Sequence, residues 1–411
     1  MPITINRRLI EYAYSSGLYS KNDRVILAGT PLTETEHQLL GDITRRFTDL
    51  VFKVFEQTHR SSYNSFGQQL GKPRSLIELI TSLSLDGISR AILARGDIIR
   101  TSEGFKIIEL NLGSQIGGLY YASLPRLAGF AQTYDALDHW AMRLCNQIPD
   151  QQAMVFTDSV SNVAWMAPYC RQLSDSLKTR TCLDTPLVDS ESFSYRDGQL
   201  FAAGKVVSWV YSWMSDIELH DGQARMQPLI KAVKDGAARF VMSPLAPVFA
   251  DKGVFAELWL LHEKGGLNAS DSAFLEAHVP YTRWLSNTRL EWLLAEQKRL
   301  VVKPADGYGG HGVVVGADLT HQAWRVAVND LLERDDGQRQ VVQMLATPEV
   351  QRIGIGQWDA SSSWEESHVV WGAFVENGTY LGTYARSKPK DASMVINQGN
   401  GAAVGPITPL H

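Results

Sequence analysis

Apolar residues recur at helical spacing over residues 34–56, where Leu39, Leu40, Ile43, Phe47, Leu50, Val51 and Val54 fall on one face. That spacing predicts an amphipathic helix laid against a sheet. A second helix is predicted over residues 76–93, after which the period changes from 3.6 to two. Residues 94–111 read as two apolar strands joined by a tight turn at Ser102-Glu103-Gly104. From about Ala131 short strands alternate with helices. Residues 153–158 form a strand and the following segment to Leu173 a helix. Phe193-Ser194-Tyr195 and Leu200-Phe201-Ala202 flank an Asp197-Gly198 hairpin turn, and residues 206–211 and 239–242 add two strands. This alternation predicts an open α/β sheet. Near the far end come a strand pair around a glycine-rich loop (residues 299–304 and 313–316) and a hairpin over residues 371–382 with an Asn377-Gly378 turn.

The first hairpin carries candidate chemistry. Glu109 and Asn111 lie two apart on a strand and share a face. With the turn centred on Glu103, Asp97 falls opposite Glu109 and Arg95 opposite Asn111, so four polar side chains converge. Two carboxylates and a neutral oxygen donor suit Mg²⁺, which keeps waters and is shared with substrate phosphates. A nearby Arg suits developing negative charge. An exposed hairpin with ordinary polar decoration shows the same alternation, and a one-residue slip in register scatters the four groups. Support comes from Lys303-Pro304 and the run Asp306-Gly307-Tyr308-Gly309-Gly310-His311-Gly312. Strand, glycine-rich loop and second strand make a flap whose backbone N–H groups can close over phosphates, with Lys303 as a point charge at its root. The Walker pattern, Gly-Lys-Ser/Thr opening a helix, is absent.

Size and charge narrow the class. A chain of 411 residues with 44% hydrophobic content can bury a large core and divide into two or three domains. A net charge of −5 gives no electrostatic footprint for nucleic acid or an anionic membrane. No apolar run is long enough to span a bilayer. The first eight residues hold basic side chains with no apolar segment after them, so no secretory signal is expected. Cys145, Cys170 and Cys182 are widely spaced and odd in number, which fits buried structural thiols in a reducing, cytoplasmic setting and argues against a disulfide frame or zinc site. His311 is either a ligand contact or a solvated loop residue. The eleven tryptophans, Trp209, Trp213, Trp259 and Trp284 among them, are expected in cores.

Taken together, the two segments resemble the ATP-grasp superfamily, whose members include D-alanine–D-alanine ligase, glutathione synthetase and the ribosomal-protein glutamate ligase. Arg95-Gly96-Asp97 matches the Arg-x-Asp strand of the family, and Glu109-Leu110-Asn111 with Gly113 matches its metal strand. The proline that often precedes that glycine is missing. The order is rotated, with the metal strand early and the lysine strand and flap late. This resembles the circularly permuted ATP-grasp family related to glutathionylspermidine synthetase-like proteins. Residues 245–252 look like the Asp-Lys element, with Lys252 as a second phosphate-facing lysine. Val341-Val342-Gln343 resembles the adenine-side hinge, and Arg386 and Asn397 match the stretch that lines the phosphoryl-transfer site.

The resemblance implies a mixed α+β and α/β architecture. Residues 1–130 would supply the metal-binding half of the catalytic core, residues 131–284 a pre-ATP-grasp α/β substrate domain, and residues 285–411 the lid and first half of the core. Permutation also demands that the C-terminus lie near the start of the helix beginning around Glu34. The implied activity is ATP-dependent ligation of a carboxylic acid to an amine through an acyl phosphate, with release of ADP and phosphate, on amino acids or short peptides. Asp97, Glu109 and Asn111 would hold Mg²⁺. Lys252, Lys303, Gly307, Gly309, Gly310, Gly312 and Gln343 would bind ATP, while Arg95, Arg386 and Asn397 would stabilise the transferring group. The alternatives are a nucleotide-binding module without turnover and a ligase that modifies a protein terminus or side chain. A homodimer is also compatible, as related ligases are often dimers.

Overall fold

The computed structural model describes residues 7–407 apart from 30–31, 90–91, 150–151, 182–184 and 335–336. Residues 1–6, Cys182 and the last four residues therefore lie outside the described residues, and with them most of the basic N-terminal stretch.

The long helix runs Glu34–His59 and begins at a capping box, in which Thr33 and Glu36 satisfy each other's backbone N–H groups. Its apolar stripe buries Leu40, Ile43, Phe47, Leu50, Val51 and Val54. Close approach of this helix to the sheet explains the glycine between Arg95 and Asp97: a Cβ at Gly96 would run into the Thr44 side chain. The second predicted helix is shorter than expected, spanning Arg74–Leu83. Ser84 and the Asp86-Gly87 turn, with Gly87 at φ +70°, stop it, and Leu93 belongs to the next strand.

The largest sheet has seven strands in the order Val350–Gly356, Val25–Ala28, Ala403–Pro406, Thr379–Pro389, Ser362–Glu376, Leu93–Thr101 and Gly104–Leu112. Val350–Gly356 also pairs with the first half of Ser362–Glu376, so five of these strands form a closed circuit. Asn377 and Gly378 join the two longest strands with φ of +48° and +73°, as a two-residue type I′ turn requires. Val25 lies beside Val404 in parallel register, which puts the end of the described chain alongside Ala28, shortly before the long helix.

The middle of the chain forms an all-parallel sheet in the order Arg239–Phe240, Trp209–Ser212, Met154–Asp158 and Leu187–Asp189. Helix Val163–Thr181 follows its first strand. The strand expected over residues 206–211 is in fact two. Lys205–Val207 closes a three-stranded antiparallel meander with Ser194–Arg196 and Gln199–Ala202, and Trp209–Ser212 enters the parallel sheet. The break falls at Ser208, where the N–H groups of Ser208 and Trp209 both turn to the Ala153 carbonyl. One continuous apolar run serves two sheets. The fourth sheet is antiparallel, in the order Thr282–Trp284, Gln340–Met344, Leu300–Pro304 and Val314–Val315. It faces the first hairpin of the large sheet across a cleft.

Candidate active site

The register of that hairpin sets the geometry of the cleft. Arg95 pairs with Asn111 and Asp97 with Glu109, as expected. Two offsets cancel to give this result. The loop contains only Ser102 and Glu103, since Thr101 pairs with Gly104, and by itself this turn would set Asp97 opposite Ile108. A bulge at Ile108 then adds one residue and restores the Asp97–Glu109 pairing. The bulge has a second effect. It frees the Ile108 carbonyl from the ladder, and that oxygen accepts a hydrogen bond from Lys303 Nζ at 3.2 Å.

Twelve of the thirteen expected site residues line one cavity of about 280 Å³. Gly312 is the exception. It sits behind the flap at φ +71°, where a Cβ would press on Pro304. Residues from both ends of the chain thus meet in one place. The flap is drawn in over the cavity, because a Cβ at Gly310 would come within 2.5 Å of Val395 on the opposite loop.

The polar end of the cavity holds four cationic side chains, Arg95, Arg386, Lys252 and Lys303, against the carboxylates of Asp97 and Glu109. Asp97 is only 1% exposed. Arg95 Nε donates to its Oδ1 at 2.8 Å, and Arg386 approaches Oδ2 at 2.5 Å. Burial resists ionisation of Asp97, but the Arg386 and Arg95 charges outweigh it and hold the carboxyl below the usual range. Arg386 therefore pairs with Asp97 rather than with Glu376 or Asp391, while Glu376 is taken by Arg143 at 3.0 Å. Among the described residues, Arg386 Nε is buried and has no hydrogen-bond partner. Glu109 is more open and meets Lys252 at 2.9 Å. Lys252 also donates to the Gly307 carbonyl at the root of the flap.

Lys303 is the least compensated charge. It donates to Gln343 Oε1 at 2.8 Å, and Gln343 in turn donates to Thr282 at 3.0 Å. Gln343 thus steers a lysine, and its amide oxygen and nitrogen each have a partner. Burial lowers the Lys303 pKa to about 8, against the partial support of Glu109. A bound polyanion would reverse that shift. Titrating tripolyphosphate at pH 8.5 should therefore draw a proton onto the protein, and affinity should fall as the pH rises above about 8. Calorimetry in two buffers of different ionisation enthalpy checks this, and equal apparent enthalpies would dismiss the assignment of Lys303 to the anion. Asn397 lines the cavity too, with its side-chain oxygen held by the Gly399 N–H at 2.8 Å.

Several lining residues carry no signal in the sequence. The opposite end of the cavity is apolar, walled by Val301, Val315, Leu345, Ala346, Pro348 and Ile396. Leu345, Ala346 and Pro348 follow the strand that contains Gln343, so this apolar wall begins just beyond the residues expected to form the hinge. A buried lysine braces the polar end from behind. Lys72 Nζ meets Asp306 at 2.6 Å, Asp216 at 3.4 Å and Asp251 at 3.7 Å. It ties the flap root and the residue before Lys252 to the parallel-sheet region. The Ser114–Gly118 loop is held there as well, since Ser114 and Gln115 donate to the Ser212 and Met214 carbonyls. Asp251 and Asp306 adjoin expected site residues in sequence, whereas Lys72 adjoins none.

No protein-family model matches the sequence, and no curated protein does. One solved structure shares the fold, and a second is more distantly similar. A glutathione synthetase-like effector of Globodera pallida superposes with a TM-score of 0.59 at 13% identity, over 97% of this chain and 94% of that one. A protein of Methylobacillus flagellatus KT with a provisional gamma-glutamylcysteine synthetase name gives 0.48 at 11% identity, over 92% and 89% of the two chains. The mixed α/β architecture is thus that of a synthetase-like fold.

Proposed function

We propose that this chain is a circularly permuted ATP-grasp ligase, with the catalytic core divided between residues 1–130 and 285–411 around a substrate domain of residues 131–284. It joins a carboxylic acid to an amine and converts ATP to ADP and phosphate. The observation that carries this reading is the convergence of Arg95, Glu109, Lys252, Lys303 and Arg386 on a single cavity whose other end is apolar. Such a cavity suits a ligand with a flat apolar base and a polyanionic tail. Lys303, whose charge is disfavoured by burial and only partly offset by Glu109, calls for an anion, and Arg386 lines the same cavity.

The donor set also fits magnesium. Glu109 and Asn111 present oxygens on one face beside Asp97, whose carboxylate is shared with the two arginines. One or two carboxylates completed by phosphates and waters is the usual binding mode of this ion. When bound it would neutralise charge on the phosphates. The protein's own residues do the remainder. Lys252 and Lys303 neutralise the α- and β-phosphates, and the flap over residues 307–312 excludes water. The acid's oxygen forms a bond to the γ-phosphorus as the bond to ADP breaks. The amine nitrogen then attacks the acyl carbon, phosphate departs, and the nitrogen loses its extra proton to solvent. Arg95 and Arg386 hold the negative charge of both transition states, and catalysis is mainly positioning and charge neutralisation. The substrates would be amino acids or short peptides.

The test is magnesium-dependent phosphate release from ATP, screened against paired pools of amino acids and amines. The expected result is release that requires both an acid and an amine, with one phosphate formed per amide. Release that no combination alters would leave an inert nucleotide-binding module.

A further inference from the structure

A second cavity, of about 700 Å³, adjoins the first and shares Arg95, Arg386 and Asn397 with it. Its outer wall is aromatic. Tyr120 and Tyr169 have ring centroids 4.7 Å apart, and Trp165 lies 5.1 Å from Tyr169. We propose, on the ligase reading above, that this cavity takes the acid substrate and that this acid carries an aromatic ring, with its carboxylate toward Arg386 and its ring against Trp165 and Tyr169.

Three observations point the same way. Trp165 is 67% exposed, unlike Trp140, Trp324 and Trp371, which are buried, so a large apolar face is left open on the wall of a cavity. It sits in the first turn of helix Val163–Thr181, where packing on Tyr169 fixes its plane. At the inner end Arg386, 8% exposed, lines both cavities and offers a guanidinium that a carboxylate would pair with. Tyr384 lies beneath both guanidinium groups, 5.6 Å from Arg95 and 5.7 Å from Arg386, and holds them toward the junction of the two cavities.

The charge pattern excludes the reverse orientation, a cationic amine in an aromatic cage. Asp23 is the one carboxylate lining this cavity among the described residues. Its oxygens are already held by the Ser20 N–H at 2.6 Å and by Gln398 at 3.3 Å. The two arginines would repel a diamine, which brings no carboxylate to pair with them. Gly117, Gly118 and Ala164 leave the width that a ring needs. Gly118 has φ +104°, and a Cβ there would strike Tyr384 at 2.8 Å.

The full chain should be titrated with L-phenylalanine, L-leucine and putrescine by calorimetry, in the presence of Mg²⁺ and a non-hydrolysable ATP analogue. Phenylalanine should bind about fivefold or more tightly than leucine, the scale of one aromatic contact. Trp165→Ala should remove that preference by weakening phenylalanine binding more than leucine binding, and Trp165→Phe should restore it. Equal binding of the two amino acids, tighter binding of putrescine, or a Trp165→Ala variant with an unaltered preference would overturn the proposal. Since binding is read without turnover, the ligase reading fails separately: aromatic acids would bind in this manner while phosphate release stayed unresponsive to every acid and amine.

Discussion

Replacing Glu109 by Gln is expected to lower kcat for ATP turnover by about a hundred- to a thousandfold while leaving the protein folded. The substitution keeps the shape of the side chain and removes one charge. In the ligand-free protein that charge meets Lys252 at 2.9 Å in a region open to solvent, with 28% of the Glu109 side chain exposed. Lys252 keeps its second partner, the Gly307 carbonyl, so little stability is at stake. On the proposed ligase reading the loss should therefore fall on catalysis, where the Glu109 carboxylate would help hold magnesium. Steady-state kinetics over a magnesium titration, paired with a thermal melt, separates the two effects. Wild-type rates in this variant would remove Glu109 from the metal site.

Asp97→Asn should behave in the opposite way and strike the fold first. Asp97 is 1% exposed and neutralises two arginines that are themselves buried. Removing one member of a buried ionic cluster leaves uncompensated charge, at a cost of ~3–5 kcal/mol. Urea denaturation at neutral pH measures this, and a midpoint equal to that of the wild type would refute the clamp. The pH dependence has a definite sign. The Arg386 and Arg95 charges overcome burial and lower the folded-state pKa of Asp97, so its stabilisation is present above the unfolded carboxylate value of about 4 and is lost as the pH falls through the lower folded value.

The sequence exposes the parts of this site that obey local rules. Period-two alternation placed Arg95, Asp97, Glu109 and Asn111 on one face, and the Asn377-Gly378 turn is as legible. The register of the first hairpin was reached through two compensating offsets, since nothing in Ile107-Ile108 announces a bulge. The helix predicted to continue to Leu93 failed because apolar spacing persists past Ser84, while the Asp86-Gly87 turn ends the hydrogen-bond ladder. Wholly hidden are features assembled from distant segments. Lys72 finds its partners at positions 216, 251 and 306, and the aromatic wall joins Tyr120 to Trp165 and Tyr169. No spacing rule connects such positions, because only the packing of the folded chain brings them together.

The interleaving of the seven-stranded sheet has a consequence for biosynthesis. Its strands come from residues near 25, from 93 to 112 and from 350 to 406, and Ala403–Pro406 lies inside the sheet, between Val25–Ala28 and Thr379–Pro389. The parallel sheet, whose strands span residues 154–240, can form on the ribosome while the early hairpin still lacks its neighbours. The Leu93–Thr101 edge of that hairpin must wait for Trp371–Glu376, about 260 residues beyond Leu112, before it is paired. Such a nascent chain is a natural client for a chaperone that shields open strand edges.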